Sequence, residues 1–94
     1  MEKTVITMTV KSDIVAAKLI KMYIQFHPKC TSAQIQDHFI NNEYGLMKDY
    51  TSTHIAGIIR KYVNYANFPN TQYSWFNVEI IRETGKPLKY KVKQ

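Results

Sequence analysis

Cysteine is nearly absent from this 94-residue chain. The one thiol, Cys30, cannot form an intramolecular disulfide, so a reducing, cytoplasmic setting is the expectation. Long apolar runs are missing too. The longest covers residues 14–17, far short of the roughly 20 residues a membrane helix needs, so no membrane role is expected. The amino terminus alternates apolar and polar residues, unlike a secretory leader. Metal-ligand spacing such as C-x-x-C is lacking. His27 and Cys30 lie three apart, with His38 and His54 farther on, and that pattern gives no reason to expect a metal or cofactor. Neither a nucleophile motif nor a glycine-rich phosphate loop accompanies them, so no catalytic residue is assigned and an enzyme is not expected. No internal repeat or low-complexity segment is visible.

What is present suits one folded domain over residues 1–94. Hydrophobic content of 45% and charged content of 21% argue against disorder. Acids are scarce: seven against 13 Lys and Arg give a net charge of +6. The imbalance is local. Residues 1–47 hold five lysines and four acids, whereas residues 48–94 hold eight basic residues and three acids. A basic half suits a polyanionic partner through counterion release. It also suits plain solubility, and composition does not separate the two.

Along the chain, residues 4–10 (TVITMTV) alternate like a half-buried strand. Ser12 then suits a helix cap and Asp13 the helix's positive end. The helix that follows should end near Phe26, before Pro28. Val15, Leu19, Met22 and Phe26 share a stripe at about 100° per residue. Ala16, Ile20, Tyr23 and Ile24 widen it, leaving Lys18, Lys21 and Gln25 as the wet side. Such an arc has two partners: the core, and either the first strand or a second copy of the chain. A homodimer is therefore expected, with residues 1–11 as a strand that contributes to it.

Thr31 to Gln34 (TSAQ) fits a capping box, with Cys30 and Ile35 placed as a hydrophobic staple. A small apolar Cys30 at a helix entry reads as packing rather than as a reactive thiol. Ile35 and Phe39 mark the buried face of this second helix, and Gly45 is a plausible stop near its end. Leu46 and Met47 are candidate anchors in the connection that follows. A third helix spans YTSTHIAGIIRKYVNYAN (residues 50–67), and Asn67-Phe68-Pro69-Asn70 then signals a turn. Residues 75–81 and 88–92 read as two strands, joined by a Glu83-Thr84-Gly85-Lys86-Pro87 tip.

The capped segment TSAQIQDHFINN, the helix TSTHIAGIIRKYVNY and the hairpin WFNVEIIRETGKPLKYKV follow one another in an order that resembles the winged helix-turn-helix superfamily. They cover roughly the last two thirds of the chain. The resemblance implies an α+β fold of three helices with a C-terminal β-hairpin wing, here with an extra N-terminal strand. Two features depart from the pattern: that strand, and a connection between helices two and three longer than the usual tight turn.

The third helix carries the functional expectation. With Ile55 at the centre of the buried arc, Ile58, Ile59 and Tyr62 fall beside it. Thr53, Gly57, Arg60, Lys61 and Asn64 lie opposite, with His54 at the margin. Ser52 or Thr51 is the cap, so the first turn offers hydroxyls and free N–H groups to a phosphate oxygen or a base edge. Gly57 lowers helix stability by roughly 1 kcal/mol relative to alanine, which invites a reason such as close approach of a partner. A helix in the major groove of double-stranded DNA supplies one, with Arg60 and Asn64 able to make bidentate contacts to guanine and adenine. Lys48, Arg60 and Lys61 would meet phosphates, as would Lys86 and Lys89 of the hairpin. The bland reading is a solvated helix and, for the lysines at 89, 91 and 93, a charged edge strand. Tyr65, Tyr73 and Trp75 are the aromatics that would merit a test for base stacking.

The function expected on these grounds is a small dimeric transcriptional regulator. The rival is a protein-interaction module, an inhibitor or adaptor from a phage or mobile element, built on the same scaffold.

Overall fold

The computed structural model describes residues 2–41, 47–68 and 72–93, with side chains described from residue 14 onward. The elements are α1 (Glu2–Phe26), α2 (Ser32–Ile40), α3 (Ser52–Ala66), β1 (Val78–Ile81) and β2 (Lys89–Val92). This is a small α+β arrangement of three helices and a two-stranded antiparallel hairpin, consistent with a winged helix-turn-helix-like architecture.

One expectation is overturned at once. The strand read from residues 4–10 is not a strand, because the backbone is α-helical from Glu2 to Phe26. Ser12 accordingly lies inside the helix rather than capping it, and the strand route to a dimer through residues 1–11 falls away. Two physical terms favour the helix. Adding turns to an existing helix avoids a new nucleation step, and each β-branched residue lowers helix stability by less than about 0.7 kcal/mol. A strand, by contrast, needs a ladder partner, and the sheet among the described residues consists of β1 and β2 alone.

The wide apolar arc of α1 is divided between core and solvent. Ala16, Ala17, Ile20 and Ile24 are buried, whereas Val15, Met22 and Phe26 remain 52%, 56% and 71% exposed. Leu19 and Tyr23 sit half-buried between the two sets, packed against the core. Helix α1 ends where expected. Pro28 follows, and Lys29, at φ 66°, turns the chain out of the helix axis.

The next residues join the hairpin. The Lys29 N–H donates to the Tyr90 carbonyl (2.8 Å), and the Tyr90 N–H donates to the Cys30 carbonyl (2.9 Å). This single bridge between Cys30 and Tyr90 ties the entry of α2 to β2. The capping box then forms as read. The Gln34 N–H donates to Thr31 Oγ1 (3.2 Å), and the Thr31 N–H donates to Gln34 Oε1 (2.9 Å). Cys30 and Ile35, the two staple positions, are both buried.

Helix α2 closes at Asn41, whose backbone N–H returns to the Asp37 and Phe39 carbonyls. Residues 42–46, including Gly45 and Leu46, lie outside the described residues, as do Pro69 and Asn70. Met47 is half-buried against the core, so it anchors the long connection from α2 to α3. The core itself joins Ile20 and Ile24 of α1 to Ile35 and Phe39 of α2 and to Ile55, Ile58, Ile59 and Tyr62 of α3. Phe76, Val78 and Tyr90 close it from the hairpin side. β1 and β2 pair with Val78 opposite Val92 and Ile80 opposite Tyr90. That register places Val78 and Tyr90 inward, as the alternation required. At the hairpin tip the Lys86 N–H donates to the Glu83 carbonyl (3.1 Å), and Gly85 takes φ 76°, the left-handed backbone glycine supplies most easily.

Candidate nucleic-acid interface

Among the described residues, helix α3 is fully buried along one side. Ile55 and Ile59 are fully buried, with Ile58 and Tyr62 nearly so, and this isoleucine stripe fixes the helix's rotation about its axis. Its start is fixed by Thr51, whose Oγ1 accepts from the His54 N–H at 3.0 Å. Of the two candidate caps Thr51 is the one used. Ser52 therefore becomes the first helical residue and is half-buried.

The side away from the core remains accessible. Thr53, His54, Arg60, Lys61 and Asn64 are exposed, and Gly57 is half-buried. The hairpin runs beside this surface without lying on it. Between them is a groove of about 320 Å³, with Ser52, Thr53, Gly57 and Arg60 on the helix side and Ile80, Arg82 and Leu88 on the hairpin side. Ser32, from the start of α2, also reaches it. A Cβ built on Gly57 meets nothing within 4 Å. Among the described residues, no packing demand therefore accounts for a glycine here.

No local sequence signal marks Arg82, which follows β1; only the folded hairpin brings it opposite Arg60. Tyr90 reports the convergence. Burial pushes its phenol above the ordinary value, with the nearby Cys30 adding to this, and the positive charges of Arg82 and Arg60 pull it back. Both guanidinium groups therefore act on the groove floor, where Tyr90 also lies.

The other expected residues lie apart from the groove. At about 100° per residue, His54 and Lys61 fall on the far margin of α3 and Asn64 near its middle. His54 stacks on Tyr50, ring centroids 4.4 Å apart and nearly parallel. Lys61 Nζ lies 5.8 Å from the Tyr62 ring centroid. Lys48 is exposed in the connection before α3.

The hairpin lysines are engaged by an acid. Glu83 lies 3.9 Å from Lys86 Nζ and 3.6 Å from Lys89 Nζ, so its carboxylate sits between both cations. Exposed pairs of this kind add at most about 1 kcal/mol to stability. They do, however, place a negative charge where a phosphate would have to approach. Lys91 faces Glu79 across the ladder, in keeping with the bland reading of the outer lysine row.

Tyr65, Tyr73 and Trp75 pack into an aromatic cluster with Tyr62 and Phe76. They are half-buried, with Tyr73 and Tyr65 5.5 and 5.6 Å from the Tyr62 ring and Trp75 5.8 Å from Phe76. Lys18 Nζ lies 5.8 Å from the Trp75 ring centroid. Cys30 is 4% exposed, and burial pushes its thiol up to about 11. It is therefore protonated and inert near neutrality. His27 stacks on Tyr23 at 4.2 Å, and Tyr23 meets His38 at 4.7 Å. Among the described residues, no three His, Cys, Asp or Glu side chains converge as metal ligands would, and no helix is long and apolar enough to cross a membrane.

Compared with protein-family models, characterised proteins and solved structures, the chain shows no match. The functional reading rests on its own geometry.

Proposed function

We propose that the chain is a non-enzymatic DNA-binding protein of the transcriptional-regulator class, which lays α3 in the major groove and sets its hairpin against the flanking backbone. One observation carries the reading: the polar face of α3 stays open, with Arg60 on the helix and Arg82 on the hairpin flanking the same groove. Thr53 and Asn64 present hydrogen-bonding groups on that face, and Gly57 lets a base edge or sugar-phosphate chain come close to the helix backbone. The two arginines supply fixed positive charge at the margin, where phosphates of the groove wall would pass. The surplus of positive charge in residues 48–94 agrees with this.

A second reading, docking on an acidic protein surface, draws support from Glu83. Its carboxylate occupies Lys86 at the tip and Lys89 of β2, which a phosphate would otherwise meet. Titration of a duplex at two salt concentrations separates the readings. Binding with a steep salt slope is expected, and Arg60→Ala with Arg82→Ala should lower affinity by about tenfold or more and the slope by about 2. No binding at low salt, or a double variant that binds like the parent, moves the weight to the protein partner.

A further inference from the structure

Helix α1 has two apolar faces, and the core uses one of them. Val15, Leu19, Met22 and Phe26 follow one another at steps of four, three and four residues, which is the spacing of a coiled-coil seam. In the sequence the same spacing continues back through Met8 and Val5, with Ser12 at its one polar position. The buried residues Ala16, Ala17, Ile20 and Ile24 lie on a different side, and of the described seam residues Leu19 alone also packs against the core. We propose that this stripe is a self-association surface, on which α1 of a second copy of the chain packs in coiled-coil geometry.

Area and charge select that occupant. Phe26, 71% exposed, leaves on the order of 140 Å² in water. With Val15, Met22 and half-buried Leu19 the described part of the seam offers roughly 400 Å², about half of the ~800 Å² that each partner of a stable interface contributes. A covering element must therefore run along α1 beyond Val15. The 25-residue helix, about 37 Å long, has that length when it meets itself. A partner chosen by charge finds little to read, because the residues bordering the seam are Lys18, Gln25 and Tyr23, and Lys18 already lies near the Trp75 ring. A two-fold pair needs only that the seam match itself, and an apolar heptad interrupted once, at Ser12, does. The homodimer expected from the sequence thus acquires a surface, though not the strand first assigned to it.

Sedimentation equilibrium of the full chain, from about 1 to about 300 μM, tests the proposal without nucleic acid. The mass is expected to rise from 11.0 kDa towards twice that value. Met22→Glu with Phe26→Glu should raise the dissociation constant at least about 100-fold, while Phe68→Glu, at another exposed apolar residue, should leave it unchanged. Circular dichroism confirms that each variant folds, and Val15→Lys provides a second test should the double variant fail to. A parent that stays monomeric throughout overturns the proposal. So does association that survives both seam variants, or assembly beyond two copies. Since no duplex is present, failure here leaves the DNA reading standing, and failure of that reading leaves this one.

Discussion

Gly57→Ala separates stability from recognition at one position. Residue 57 is interior to the 15-residue helix α3, where glycine lowers stability by about 1 kcal/mol relative to alanine. The added methyl meets nothing within 4 Å, so no packing clash offsets the gain in helix propensity. The variant should be about 1 kcal/mol more stable, which for a domain of this size raises Tm by roughly 4–8 °C. Differential scanning calorimetry reads this directly. The same methyl projects into the groove beside Arg60, so close contact with DNA at this point should make the stabilised protein bind duplex several-fold more weakly. A fall in Tm would refute the account of local packing. A higher Tm with unchanged affinity would show that the helix backbone at residue 57 is not approached by the partner.

Glu83→Gln removes the carboxylate between Lys86 and Lys89. Duplex affinity should rise and its salt dependence steepen, with stability changing by no more than about 1 kcal/mol; weaker binding in a fluorescence-anisotropy titration would contradict the assignment. Thr31→Ala deletes the side-chain half of the α2 capping box and should lower stability by about 1 kcal/mol in urea denaturation, with little effect on DNA binding. Cys30 sets an alkaline limit. Its thiol ordinarily ionises near 9.0 but stays protonated in the fold until about 11. The folded state thus holds the proton more tightly than the unfolded chain. The associated stability is whole below pH 9 and is lost as pH rises towards 11. Cys30→Ala should flatten that decline without abolishing it, because burial also raises the phenols of Tyr23 and Tyr90; an identical pH–Tm curve would refute the assignment.

Legibility in this sequence followed the range of the forces involved. Thr31, Gln34 and Thr51 cap helices through contacts three residues away, so a short window of sequence contains the whole interaction. The stripe of Ile55, Ile58, Ile59 and Tyr62 and the alternation around Val78 and Tyr90 are equally local, and they placed α3 and the hairpin, although β1 begins at Val78 rather than at Trp75. The amino terminus defeated the same logic. Seven alternating residues satisfy a strand pattern, but the choice between strand and helix depends on a ladder partner or a continuing helix, and the window shows neither.

The sequence by itself determined where α2 and α3 begin, that a hairpin follows α3, and which side of α3 is greasy, because caps and periodic burial act between near neighbours; α2 ends at Ile40, short of the stop read at Gly45. Tertiary structure alone decided which arc of α1 enters the core and which stays in water. It also brought Arg82 across from Arg60 and set Glu83 between Lys86 and Lys89. Those pairings depend on how one element is oriented against another, and that orientation comes from the packing of the whole core rather than from any local pattern.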